Sequence, residues 1–362
     1  MKLRVSDNIK NLVPYPPGKP LEELEREYGV TGSIKMASNE NSLGPSPKAM
    51  AAIAAALGKL HRYPDGSCYY LATRLAEHLK ISAEQIVFGN GSDEIIALLG
   101  AAFLQPGDEA ITSHPSFLVY PKVVQALGGI NRVVPLKDMH HDLDAIAAMI
   151  CPRTRLIFLD NPNNPTGSIF SKSQFEAFLA KVPEHVIVVL DEAYVDFVDP
   201  NLKLDARKYF ASKTAVVALR TFSKAYGIAG LRVGYGIMPA EIASYIHRVR
   251  APFNVNQLAQ VGAIAALDDT DHYNKTLEMT SRGIIWLTEQ LADLGLTCYP
   301  TQTNFFLVDL KQECRPFYEK MLRKGVIVRP MSAYGYPNFI RITVGLPEEN
   351  QRLVQAVKEC LE

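Results

Sequence analysis

Cysteine is scarce in this sequence, and the few cysteines lack the patterns that disulfides or metals require. The five are odd in number, widely scattered and never in a C-x-x-C pair: Cys68, Cys151, Cys298, Cys314 and Cys360. We therefore expect reduced thiols, with neither a disulfide framework nor a zinc site. The eight histidines show no ligand spacing either, so no metal centre is predicted.

Net charge and long hydrophobic runs are also missing. Lys plus Arg number 38 and Asp plus Glu number 38, so no overall electrostatic field favours nucleic acid or a membrane surface. No apolar run approaches the length of a bilayer-spanning helix, and residues 1–20 contain no hydrophobic signal core before their prolines. We therefore expect a cytoplasmic protein whose charge selectivity lies in a local site.

The composition is that of an ordinary globular protein. A chain of 362 residues with 48% apolar and 21% charged residues is large enough for two cores. Short β-branched runs such as "RLIFLD", "VIVVLDEA" and "AVVALR" alternate with helical stretches, which predicts βα repeats and a mostly parallel sheet. After "PFNVNQLAQ" the pattern becomes α+β. We therefore predict a large domain over 41–254 and a smaller one over 1–40 and 255–362.

Polar residues follow the strands, where ligands of open α/β sheets bind. "QIVFG" leads into "NGSDE", and a helix beginning at Ser92 would offer free amide groups to an anion, although such a start also serves as a simple cap. "RLIFLD" ends in "NPNNPTG", whose side-chain amides could bind a ligand or only reverse the chain.

Two strand ends supply a carboxylate and a lysine. Asp191 ends "VIVVLD", and the strand that follows it in the sequence, "AVVALR", leads into "TFSKAYG" with Lys224. Parallel neighbours would bring both groups to one edge of the sheet. Lys224 lies in a glycine-rich, weakly charged stretch, where burial would lower its pKa and favour the neutral, nucleophilic amine.

An anion site, a strand-end aspartate, a lysine and Arg232 together suit pyridoxal 5'-phosphate. Lys224 would bind the cofactor covalently and Asp191 would pair with its protonated pyridine nitrogen. The phosphate would be held by Ser92, Ser223 and Arg232. Once released, the lysine could carry a proton between substrate and cofactor as general base and acid.

The motifs of this chain resemble those of the histidinol-phosphate aminotransferases, a class-II branch of the aspartate-aminotransferase-like superfamily. They run nearly end to end: "LVPYPPGKP", "NENSLGPSP", "RYPDG", "GNGSDEII", "NPNNPTG", "LDEAYVDF", "TFSKAYGIAGLRVGY", "PFNVNQLAQ", "TNFFLV" and "IRITVG". The resemblance implies the pyridoxal-phosphate-dependent transferase fold, which is α/β with a large domain and a smaller α+β domain.

The resemblance also implies roles for single residues around the cofactor. Tyr194 and Asn164 would contact its ring hydroxyl, with Tyr194 joining Lys224 and Asp191 in catalysis. Phe117 would stack on the ring, at a position where this branch often has tyrosine. The phosphate would be bound by backbone amides of Ser92 and Asp93, by Ser223 and Arg232, and by Tyr63 of a neighbouring subunit. The last contact implies a homodimer.

Substrate binding is implied for Arg329 and Arg341, with Asn164 and with Tyr15 from the N-terminal motif. In this branch they grip the phosphate of L-histidinol phosphate, and guanidinium groups suit phosphate and carboxylate alike. The implied reaction exchanges an amino group between L-histidinol phosphate and 2-oxoglutarate, giving imidazole-acetol phosphate and L-glutamate. Such a reaction is a step of histidine biosynthesis.

Three alternatives stay open at this point. The first is an aromatic aminotransferase acting on phenylalanine or tyrosine, or a dual-function enzyme. A phosphothreonine-type decarboxylase also resembles this branch but breaks a different bond. A non-catalytic, pyridoxal-phosphate-sensing regulator would need a DNA-binding module, and no basic helix-turn-helix precedes the catalytic motifs. A nicotinamide-dependent enzyme is disfavoured because no G-x-G-x-x-G follows the first strand.

Overall fold

The computed structural model describes residues 3–14 and 18–362. The chain begins with helix α1 (Asp7–Lys10), helix α2 (Leu21–Tyr28) and the short strand β1 (Ile34–Lys35). The next elements, which alternate between strand and helix from β2 to β6, are α3 (Pro47–Ala56), α4 (Tyr69–Leu79), β2 (Ile86–Gly89), α5 (Ser92–Phe103), β3 (Glu109–His114), α6 (Val119–Ala126), β4 (Ile130–Pro135), α7 (Leu143–Met149), β5 (Thr154–Asp160), α8 (Lys172–Leu179), β6 (Ile187–Asp191), β7 (Ala215–Thr221), β8 (Gly234–Ile237), α9 (Ala240–Val249) and α10 (Gln257–Leu267).

Strands β2 to β8 form a seven-stranded sheet in the order β2-β8-β7-β6-β5-β3-β4 within the described residues. Strand β8 runs antiparallel to β2 and β7, and the other neighbouring pairs are parallel, so the expected α/β architecture with a mostly parallel sheet is confirmed. Strands β5 and β6 are almost wholly buried because helices cover both faces, which explains their apolar sequences without alternation. Within the described part of the chain, no helix is long and apolar enough to cross a membrane.

The remaining elements form the small domain, which is built around a four-stranded sheet. They are α11 (Thr270–Asp293), β9 (Thr297–Cys298), β10 (Phe305–Asp309), α12 (Cys314–Arg323), β11 (Val326–Ile327), β12 (Arg329–Pro330), β13 (Phe339–Thr343) and α13 (Pro347–Leu361). The sheet order is β12-β13-β10-β9, and β1 pairs with β11 beside it. Its core is separate from that of the large sheet and includes Phe306, Phe317 and Ile342.

Packing suggests domain boundaries that differ from residues 40 and 254. Helix α10 contributes Ala259, Ala263 and Leu267 to the core under the large sheet, so we place the boundary after α10 instead. Near the N-terminus, the Asn8 side chain donates hydrogen bonds to two carbonyls of α6, at 3.1 and 3.0 Å. The first described residues therefore lie against the large domain, whereas α2 packs on α12 of the small one.

Candidate active site

A cavity of about 380 Å³ lies at the carboxyl ends of the central strands. Strands β6 and β7 pair in parallel, with Asp191 beside Leu219, so the ends that carry Asp191 and Lys224 share one edge of the sheet as expected. The cavity is lined by Ser38, Glu40, Ser92, Asp93, Phe117, Asn164, Asp191, Ala193, Tyr194, Thr221, Ser223, Lys224, Ala229, Gly230 and Arg232.

One end of the cavity is formed by the N-terminus of α5. Gly91 precedes the helix with φ at +80°, a left-handed conformation that glycine adopts readily. Its missing side chain also leaves room for the Arg232 guanidinium, which a β-carbon there would overlap. Arg232 lies 3.5 Å from the Asp93 carboxylate, beside the unpaired amides of the first helical turn. Free amides, the helix dipole and a guanidinium make this end suited to a phosphate.

Lys224 lines the cavity and is held by contacts on two sides. It donates a hydrogen bond of 3.3 Å to the Ser38 carbonyl and lies 5.6 Å from the centre of the Tyr194 ring. Burial lowers the pKa of Lys224 to about 8, and the nearby Arg341 guanidinium acts in the same direction. A substantial fraction of this amine is therefore neutral, and nucleophilic, near pH 8.

The Asp191 carboxylate is held by two hydrogen bonds. Tyr120 donates its hydroxyl proton to Oδ2 at 2.7 Å, and the Ala193 amide donates to Oδ1 at 3.1 Å. Burial raises the pKa of Asp191 to about 7, and the Asp160 carboxylate adds to this, against the opposing effect of the Tyr120 hydrogen bond. A buried carboxylate of this kind would be stabilised by a cationic partner.

The small domain reaches the cavity through Arg341. Its guanidinium donates to the Asn164 side-chain carbonyl and, at 2.9 Å, to the Ala37 carbonyl, while it stacks 4.9 Å from the centre of the Phe305 ring. Arg341 Nε is buried without a hydrogen-bond partner among the described residues. Asn164 is itself fixed by its backbone amide, which donates to Asp160 Oδ2 at 2.8 Å.

Most of the residues selected from the sequence meet at this cavity. Nine of them line it: Ser92, Asp93, Phe117, Asn164, Asp191, Tyr194, Ser223, Lys224 and Arg232. Arg341 joins them through Asn164, whereas Arg329, which faces Arg341 in the register of β12 and β13, lines a separate cleft. Tyr63 lies outside the cavity with 82% of its surface exposed. Tyr15 falls outside the described residues.

Sequence reasoning missed several residues of the site. Tyr120 and Asn39 contact residues that line the cavity and Glu40 lines it, yet none of the three is among the residues selected from the sequence. Tyr120 lies three residues after Phe117, and the two rings meet edge to edge at 5.6 Å. Residues three apart on a helical turn share a face, so this spacing indicates that Tyr120 lies on the same side as Phe117. Asn39 and Glu40 carried no such signal, because their positions depend on how the domains pack.

The donor set fits pyridoxal 5'-phosphate. Three groups lie around one cavity: an anion-binding helix end, a buried amine of lowered pKa and a buried carboxylate of raised pKa. Each of them is suited to bind a ligand group. A phosphate, a carbonyl carbon and a protonated pyridine nitrogen would complete these three groups.

Comparisons with known proteins agree with this chemistry. The model of the family "Aminotransferase class I and II" matches residues 31–357. Similar curated proteins include histidinol-phosphate aminotransferases of Desulfotalea psychrophila, 54% identical over 100% of this chain and 96% of the relative, and of Moorella thermoacetica, 47% identical over 98% and 92%.

A similar solved structure is that of the histidinol-phosphate aminotransferase from Sinorhizobium meliloti in complex with pyridoxal-5'-phosphate. The TM-score is 0.92 at 29% identity, with 100% of this chain and 98% of that chain covered. The family model spans nearly the whole chain. The two relatives are about half identical in sequence to this chain over nearly their full lengths. The chain belongs to the class I and II aminotransferase family.

Proposed function

We propose that this protein is a pyridoxal-phosphate-dependent histidinol-phosphate aminotransferase. It exchanges an amino group reversibly between L-histidinol phosphate and 2-oxoglutarate, giving imidazole-acetol phosphate and L-glutamate, as a step of histidine biosynthesis in the cytoplasm. The observation that carries the proposal is the meeting of Lys224, Asp191 and the α5 N-terminus at one cavity. It is supported by relatives at 54% and 47% identity that share this enzyme name.

Different cavity residues would hold different parts of the cofactor. The α5 amides at Ser92 and Asp93, with Ser223 and Arg232, would bind the phosphate, and Phe117 would pack on the ring face. Asn164 and Tyr194 would bind the ring oxygen. When bound, pyridoxal phosphate supplies an electron sink for the electron pair left on the substrate carbon when its proton is removed.

Lys224 and Asp191 perform the two central tasks. With its pKa lowered to about 8, Lys224 Nζ can take a proton from the substrate carbon and return it elsewhere without a large energetic cost. Asp191, whose carboxylate is buried, would keep the pyridine nitrogen protonated by offering it a negatively charged acceptor. Tyr120 orients that carboxylate by donating to Oδ2 at 2.7 Å.

Arg341 binds the anionic group of the substrate, and Arg329 and Tyr15 are proposed to assist it. The Arg341 Nε donor is buried and has no hydrogen-bond partner in the described part of the chain, which is costly unless an incoming anion accepts from it. Phosphate and carboxylate both fit a guanidinium, so one site can serve histidinol phosphate and glutamate in turn.

Arg341→Ala should raise the KM for histidinol phosphate by about ten- to hundred-fold, because it removes charged hydrogen bonds to the phosphate. The cofactor should stay bound, since Arg341 is not among the residues that line the cavity. The pH dependence of its absorbance should shift modestly, because Arg341 binds Asn164 and lowers the pKa of Lys224. Steady-state kinetics beside an absorbance spectrum make the test, with Arg315→Ala in the neighbouring cleft as the control. An unchanged KM would place the phosphate elsewhere.

An exposed apolar surface supports a homodimer. Seven large side chains from α3, the start of α4 and the nearby loops are between 44% and 82% exposed: Met50, Leu57, Leu60, Tyr63, Tyr69, Tyr70 and Phe253. Tyr63 stacks on Phe253 with ring centres 4.8 Å apart, and neither ring is among the residues that line the cavity of its own chain. In a dimer formed through this surface, Tyr63 reaches the cofactor phosphate of the partner.

Tyr63→Phe should weaken cofactor affinity about ten-fold or more, because one hydrogen bond to a charged phosphate is lost. The variant should keep the dimer mass in light scattering, since the ring and its apolar contacts remain. Tyr70→Phe, on the same surface, serves as the matched control with unchanged affinity. A monomeric wild-type protein with normal activity would contradict the shared site.

Substrate specificity tests the proposal against its rivals. Ping-pong kinetics with histidinol phosphate and 2-oxoglutarate should give a kcat/KM at least about a hundred-fold above that with phenylalanine or tyrosine. Equal values would indicate a dual or aromatic enzyme. Release of CO2 from phosphothreonine would indicate the decarboxylase, and cofactor binding with no turnover of any substrate would favour the regulator.

A further inference from the structure

Asn39 is a buried polar residue that touches the active site without lining it. It lies in "SNENSL" between the two domains, with 1% of its surface exposed. Its side-chain amide donates to the hydroxyl oxygen of Tyr194 at 2.8 Å. Its φ is +55°, in the left-handed region that asparagine tolerates better than most residues. Both its conformation and its position are therefore set by the surrounding structure.

The hydrogen bonds around Asn39 determine which way its amide points. The Thr343 hydroxyl accepts from the Asn39 backbone amide at 3.0 Å and donates its own proton to Asn39 Oδ1 at 3.1 Å. With the oxygen of the amide engaged by Thr343, the NH₂ group must face Tyr194. Asn304 closes the arrangement by donating to the Asn39 carbonyl at 3.1 Å.

This orientation fixes the direction of the Tyr194 hydroxyl. Burial raises the pKa of Tyr194, so the phenol keeps its proton. Because an NH₂ group cannot accept a hydrogen bond, Tyr194 must accept from Asn39 and has its own proton left to donate. Tyr194 lines the cavity, and no acceptor for that proton is found among the described residues. The proton is therefore available to a bound ligand.

We propose that Asn39 is a positioning residue that holds Tyr194 as a hydrogen-bond donor to the ring oxygen of the cofactor. Thr343 at the end of β13 and Asn304 before β10 hold Asn39 in turn, so the donor depends on how the small domain is docked. The inference rests on the proposed function, since it needs pyridoxal phosphate in the cavity. A donor at the ring oxygen stabilises its anionic form and lowers the pH at which the absorbance of the bound cofactor changes.

The test is a pH titration of cofactor absorbance in the holoenzyme. Asn39→Gly keeps the left-handed backbone but removes the amide, and it should raise the midpoint by roughly 0.5 to 1 pH unit. Asn39→Asp should raise it further, because a carboxylate would accept the Tyr194 proton and draw it from the cavity. Thr343→Val, which frees the amide to rotate, should give a smaller rise and serves if the Asn39 variants fold poorly.

A second comparison separates positioning from general disturbance. In a Tyr194→Phe background, Asn39→Gly should cause no further change in the midpoint, because it acts through the hydroxyl that is already missing. Asn41→Gly is the matched control: its amide binds the Ala225 carbonyl at 3.1 Å and does not touch Tyr194, so its midpoint should equal that of the wild type.

An unchanged midpoint in Asn39→Gly, or an equal shift with and without the Tyr194 hydroxyl, would overturn the inference. A wild-type protein that shows no cofactor absorbance would instead overturn the proposed function. The two failures are therefore distinguishable in one set of titrations.

Discussion

Lys224→Ala should lower the rate of amino transfer by at least about a thousand-fold while the protein stays folded. The variant loses both the amine that binds the cofactor and the base that moves the proton, and acid–base catalysis alone contributes about a hundred- to ten-thousand-fold. Among the described residues the native amine makes one hydrogen bond, of 3.3 Å to the Ser38 carbonyl, and burial disfavours its charge. Its removal should therefore cost little stability.

The test measures three properties of the Lys224→Ala variant: its turnover, its melting temperature and the absorbance of its bound cofactor. Lys275→Ala, an exposed lysine on the small domain, is the control for loss of a positive charge and should behave as the wild type. A Lys224→Ala protein that transfers amino groups at the wild-type rate would show that the lysine assignment is wrong.

Asp191→Asn should also lower turnover strongly, by about a hundred- to thousand-fold, because the amide cannot hold the pyridine nitrogen in its protonated form. The same substitution should stabilise the cofactor-free protein at neutral pH. Burial raises the pKa of Asp191 to about 7, from 3.8, so an ionised carboxylate is disfavoured in the folded state without its cofactor. Activity and stability should thus change in opposite directions.

The pH dependence has a definite sign. Between about pH 4 and pH 7 the folded protein holds the Asp191 proton while the unfolded chain releases it, so wild-type stability without cofactor falls as the pH rises. The loss is roughly 1 to 4 kcal/mol and stays constant above pH 7. Asp191→Asn should lack this component in denaturant titrations at pH 5 and pH 8. A parallel pH dependence in both proteins would contradict the raised pKa.

The sequence was sufficient for the centre of the site. Asp191 and Lys224 follow consecutive apolar strands, and the rule that ligands meet the carboxyl ends of parallel strands placed them together. The resemblance supplied the roles of Asn164 and Arg341, and the structure brings them into contact. These residues were predictable because their positions depend on strand order and on local motifs.

Other features depend on packing that a single sequence does not reveal. Strand β4, "INRVVP", lies at the edge of the sheet with several exposed side chains, so it lacks the apolar run that identified its neighbours. Helix α10 follows "PFNVNQLAQ", where the sequence pattern changes, yet its apolar face packs under the large sheet. The contact between Asn39 and Tyr194 joins residues 155 positions apart, and no local pattern indicates it.

The most direct test of the central claim is a half-reaction without 2-oxoglutarate. Purified protein carrying pyridoxal phosphate is mixed separately with histidinol phosphate, phenylalanine and tyrosine, and both the cofactor absorbance and the released product are followed. We expect fast conversion by histidinol phosphate alone, with one imidazole-acetol phosphate formed per active site. Conversion by the aromatic acids at a comparable rate, or by none of the three, would contradict the proposed function.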